Sequence, residues 1–147
     1  MSLDEVKRQF VEQVKLRAYD DKYIDKTEER EILQIAIQRG ISVDSARAAL
    51  AQVCEGNGYV LESKVREEMK DFLDTMAGND GQIDQKEFND ALTMARKRTQ
   101  GKRNDVQLKH MLVEIIDDNS YKTSKTSGFL GIGASSWYAK LKKELGM

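Results

Sequence analysis

Gly78-Asn79-Asp80-Gly81-Gln82-Ile83-Asp84-Gln85-Lys86-Glu87 is the stretch on which the fold turns. An acid precedes a glycine, an isoleucine follows two residues later, and a glutamate comes six residues after the glycine. That order is the second half of a helix–loop–helix calcium loop. The first half departs from it, because Met76 and Gly78 stand where two ligand carboxylates belong. Val65, Met69, Phe72, Leu73 and Met76 recur at helical spacing before the loop. Phe88, Ala91, Leu92 and Ala95 do so after it, on a helix expected over about Gln85 to Thr99.

The same motif occurs earlier in the chain. Arg17–Glu28 aligns with Met76–Glu87 without gaps, with five of twelve positions identical at an offset of 59 residues. The shared residues are Ala18/Ala77, Asp21/Asp80, Ile24/Ile83, Asp25/Asp84 and Glu28/Glu87. Asp25 with Glu28, and Asp84 with Glu87, have the spacing of a capping box. The aspartate accepts from an orphan amide of the helix it starts, and the glutamate reaches back. Each loop therefore carries its own helix start, and the chain reads as two pseudo-repeated helix–loop–helix units.

The remaining elements are set by caps and periodicity. Ser2 with Glu5 caps a first helix facing inward through Leu3, Val6, Phe10, Val14 and Ala18. A second helix spans about Thr27 to Arg39, with Ile32, Leu33, Ile35 and Ala36 apolar and Gly40 as its left-handed stop. Ser42 caps an alanine-rich third helix, which Gly56-Asn57-Gly58 ends. Tyr59-Val60-Leu61 is a short extended piece or the direct lead into the next helix. Asp105 is expected to cap a sixth helix lined by Leu108, Met111, Leu112, Ile115 and Ile116. From Asn119 to Ser127 the chain is a polar connection, and Ser135 or Ser136 caps a last short helix. The expectation is an all-α bundle of about six to seven helices over residues 1–118. Residues 119–147 form a linker and an apolar, aromatic helix that docks on the bundle or on a partner.

Bulk composition agrees. The chain of 147 residues has no proline, where average usage of about 5% would give about seven, and it is rich in helix formers. A third of its residues are charged, yet the net charge is −1, which gives no global pull toward nucleic acid or anionic lipid. The single Cys54 cannot form an internal disulfide, the N-terminus has no apolar signal segment, and no run reaches the roughly 18 apolar residues of a spanning helix. A cytoplasmic setting is expected.

The two copies of acid–acid–x–x–Ile–Asp–x–x–Glu or its near variant, each opening a helix, resemble the TerB-like (tellurite-resistance) family of all-helical bacterial domains. So does the Gly40-Ile41-Ser42 break before the alanine-rich helix. The resemblance covers roughly Leu3 to Ile116. It implies a helical bundle with internal pseudo-symmetry. It also implies a scaffolding or sensing role in stress- or defence-related complexes, without catalysis. A degenerate paired calcium-binding hand is the competing resemblance.

The chain holds several candidate sites. In the second loop Asp80, the Gln82 carbonyl, Asp84 and Glu87 occupy ligand positions, with Gly81 at the turn, so this loop is the candidate Ca²⁺ site. The competing reading gives the same residues to a turn and a helix cap. In the first loop Arg17 stands at a ligand position, and Lys22 stands where the glycine should be, in a backbone conformation glycine adopts most easily. That loop is expected to bind nothing. Phe129, Leu130, Ile132, Trp137 and Tyr138 are the candidate partner-binding residues, since aromatic anchors dominate contact energy. Their alternative is to plug a groove of their own bundle. Arg96-Lys97-Arg98 with Lys102-Arg103 reads as a basic helix end complementing the helix dipole rather than a nucleic-acid contact. His110 and Cys54 lack convergent partners, so no catalytic set emerges and the chain is not expected to be an enzyme.

Overall fold

Ser2 accepts from the Glu5 amide at 3.3 Å and starts α1 (Leu3–Arg17). The computed structural model describes residues 2–123 and 136–147. Every fourth residue along α1, from Val6 through Phe10 and Val14 to Ala18 just past its end, is buried, while Leu3 in the first turn is exposed. Among the described residues there are seven α-helices, and the chain is all-α in class. Contacts divide it into two units, one reaching to Val65 and one from Arg66 onward.

In the first unit α1 runs into the loop and then into a two-residue strand, β1 (Tyr23–Ile24), before α2 (Lys26–Ile37). Both halves of the Asp25 capping box are formed, at 2.8 Å to the Glu28 amide and 3.1 Å back from Glu28 to the Asp25 amide. Gly40 is left-handed at φ +82, and the Ile41 amide closes onto the Ala36 carbonyl, the six-to-one bond of a glycine-stopped helix. Ser42 caps α3 (Val43–Asn57), and left-handed Gly58 ends it. Helix α3 packs against both α1 and α2 through Ala46, Ala49, Leu50 and Val53. Small side chains let neighbouring helix axes approach closely, which fits the alanine-rich sequence.

The piece after Gly58 serves both readings left open by its sequence. Val60–Leu61 forms β2, parallel to β1 with Tyr23 opposite Val60 and Ile24 opposite Leu61, and α4 (Glu62–Ala77) begins at the next residue. Phe10, Ile24, Ile32 and Leu50, all fully buried, form the centre of this unit's core. Burying a side chain of this size contributes about 1.5–3 kcal/mol.

The division between units falls inside α4. In the second unit a 3₁₀ turn, Gly78–Asp80, follows α4, and then come α5 (Gln85–Arg98), α6 (Asp105–Asp118) and α7 (Ser136–Glu144). The Asp84 capping box is complete, and Ile83, just before it, is buried. The cap of α6 differs from expectation. Asn104, not Asp105, holds the extended backbone (φ −78, ψ 168), accepts from the Gln107 amide at 2.8 Å, and receives the Gln107 side chain in return. Asp105 sits one residue inside, where its carboxylate takes a two-pronged bond from Arg96 at 2.7 and 2.8 Å. Met69 and Met111 are buried and fill this unit's core.

Helix α7 packs within the second unit. Tyr138 and Leu141 are buried, the Tyr138 hydroxyl donates to Asp117 at 2.8 Å, and Lys142 reaches the same carboxylate at 2.7 Å.

Candidate functional site

The two loops share a backbone and differ in what the backbone carries. Asp21 accepts from the Tyr23 amide at 3.1 Å, and Asp80 accepts from the Gln82 amide at 3.0 Å, each a side-chain-closed turn. Lys22 and Gly81 both take a left-handed conformation, at φ 51 and 66. Lys22 therefore adopts the backbone that glycine holds most easily. The Lys22 carbonyl accepts from the Val60 amide at 2.9 Å, and the Gly81 carbonyl accepts from the Lys122 amide at 2.8 Å. The Ile83 amide then donates to Lys122, so a single parallel bridge stands where the first unit has its strand pair.

The residue after the left-handed position separates the two loops. In the first loop it is Tyr23, fully buried, with its hydroxyl donating to Glu62 at 2.8 Å. In the second loop the corresponding residue is Gln82, partly exposed. Here the loop borders an open cleft of about 540 Å³. Asp80, Gln82, Asp84 and Glu87 line it on the loop side, Met76 lines it from α4, and Trp137 lines it from α7. Trp137 is held in place by contact with the Phe88 ring at 5.6 Å and the Tyr138 ring at 5.3 Å. The structure thus brings together the four candidate metal residues and one of the candidate partner residues.

The carboxylates of this cleft have definite work in the backbone. Asp84 Oδ1 accepts from the Glu87 amide at 2.7 Å, Glu87 Oε1 accepts from the Asp84 amide at 3.0 Å, and Asp80 Oδ1 closes the turn. Each has a second oxygen that makes no hydrogen bond or ion pair among the described residues. Among the described residues no three His, Cys, Asp or Glu side chains converge as a metal-holding group.

Of the remaining candidate partner residues, Tyr138 is buried against α6 and Phe129, Leu130 and Ile132 lie outside the described residues. In the basic segment, Arg96 is paired with Asp105 and Arg98 with Glu68 at 3.2 Å. His110 is partly exposed on α6. Cys54 is buried, and burial together with the nearby Glu29 carboxylate pushes its thiol up to about 12, so it is no nucleophile near neutral pH. Glu29 is itself buried and accepts a hydrogen bond from the Ser63 hydroxyl, with Arg47 at 3.9 Å. Sequence patterning alone misses this buried carboxylate. Its only trace there is Glu29 falling three residues before Ile32 on the apolar face of α2.

No family model, curated protein or solved structure matches the chain. Among the described residues no helix is long and apolar enough to cross a membrane.

Proposed function

We propose that this chain is a non-catalytic interaction domain that engages a protein partner through the cleft between the second loop and α7. The TerB-like resemblance supplies the setting, a cytoplasmic bacterial assembly concerned with stress or defence, in which the domain scaffolds or senses. The observation that carries the reading is the cleft itself. An indole ring, a methionine and three carboxylates line one open space. Aromatic anchors in a pocket of this size are the usual centre of a protein contact.

Affinity purification of the full chain from its native cells tests the reading, with Gln82→Tyr as the comparison. Tyrosine stands at the matching position of the first loop, and the substitution puts a bulky ring on the cleft wall while sparing both capping-box residues. A partner recovered with the native chain and lost with Gln82→Tyr is expected. Equal recovery with both chains refutes the cleft as the contact.

A further inference from the structure

The cleft of the second unit also has a chemical preference, which rests on the interaction reading above. Its charged wall is of one sign. Asp80, Asp84 and Glu87 line it, and no lysine, arginine or histidine does so among the described residues. Each of these carboxylates spends one oxygen on the loop or helix backbone and keeps the other without a partner among the described residues. Trp137 also lines the cleft, and the face of an indole ring attracts cations. Met76 and Ala77 line it as well, a surface suited to a hydrocarbon stem.

We propose that the occupant is a lysine or arginine side chain on an exposed segment of the protein partner. Its stem lies along Met76 and Ala77, and its cationic head lies between the Trp137 ring and the carboxylates. Three features of the cleft select this occupant. Charge complementarity asks for a cation. Among the described residues these carboxylates form no metal-holding group, whereas the several donors of a lysine or arginine head can reach separate acceptors. A space of about 540 Å³ is larger than one ion and its shell require and suits a side chain with part of its backbone. The first loop offers the internal contrast: it shares the Asp25–Glu28 capping box, but Tyr23 is buried at the position where Gln82 borders the open space.

The test is selection of peptides from a random library on the full chain, with Gln82→Tyr as the counter-selecting surface. Trp137, the only tryptophan, reports binding by its emission. The variant Asp80→Asn, Asp84→Asn, Glu87→Gln removes three charges yet keeps an acceptor at each hydrogen bond. Selected peptides are expected to be rich in lysine and arginine, to shift Trp137 emission, and to bind that variant at least about tenfold more weakly. Their affinity for the native chain is expected to fall as salt rises. Peptides that bind the cleft but lack basic residues, or that bind the neutralised variant equally well, overturn the cationic occupant and leave the interaction reading standing. Failure to select any peptide that prefers the native chain over Gln82→Tyr overturns both. Calcium chloride added without peptide is the remaining arm: a saturable micromolar shift of Trp137 emission assigns the carboxylates to an ion and overturns the proposal.

Discussion

Asp84→Ala isolates what the second loop does first. Asp84 makes both bonds of its capping box, at 2.7 Å from the Glu87 amide and 3.0 Å to the Glu87 side chain through its own amide. Alanine removes the acceptor, orphans the Glu87 amide and frees the chain at the entry to α5. Loss of a cap of this kind costs about 1 kcal/mol, with a range of about 0.5–2. For 147 residues the unfolding entropy near 60 °C is about 310 cal/mol/K, so 1 kcal/mol lowers Tm by about 3 °C. Melting of the second unit alone, with 82 residues from Arg66 to Met147, raises that shift to about 6 °C. Asp84→Asn keeps the acceptor and removes only the charge, and is expected to stay within about 0.5 kcal/mol of the native chain. Circular dichroism melts of the two variants, repeated in urea, make the comparison. An asparagine variant as damaged as the alanine variant refutes the reasoning, since the loss then follows charge rather than the cap. An alanine variant with unchanged Tm refutes it as well.

Tyr23→Phe removes the hydroxyl that donates to Glu62 from a fully buried ring, and urea titration is expected to read a loss of about 1–2 kcal/mol. For Cys54, the thiol is raised from about 9 to about 12 in the folded state, so the native state holds the proton more tightly than the unfolded chain. The stability this contributes is full below about pH 9 and declines as pH rises toward 12, and a thiol-specific reagent at pH 8 should react at the unfolding rate. Deleting residues 136–147 strips Tyr138 and Leu141 from the second unit. It is expected to lower Tm and speed amide exchange in α6, and an unchanged melt counts against the packing of α7. Tyr138→Phe is the milder version, leaving Asp117 with Lys142 alone and costing about 1 kcal/mol.

Much of the helical framework is local chemistry and is visible in the chain. Asp25 and Glu28 find each other because they lie three residues apart at a helix start, whatever surrounds them, and so do Asp84 and Glu87. Gly40 and Gly81 take the left-handed conformation at little steric cost, and the stripe Val6, Phe10, Val14 needs only the period of a helix. The misassigned cap at Asp105 lies at the edge of that reach. Asn104 and Asp105 are both good caps, and the choice fell to Asn104 because Gln107 could complete its box while Arg96 occupied Asp105.

Other features depend on residues far apart in sequence, and only the tertiary structure decided them. Tyr23 and Val60 carry no pairing signal, and their strand exists because α2 and α3 return the chain to the first loop. Glu29 is buried because Ser63 and Arg47 are brought to it. The second loop acquires its cleft the same way. Asp80, Asp84 and Glu87 sit within eight residues and explain the turn and the helix start by themselves. Trp137, fifty residues after Glu87, faces them because Tyr138 and Leu141 bury α7 within the second unit. A cap is a short-range hydrogen bond that its own sequence can specify. A cleft is the space left between packed elements, and it has no existence until they pack.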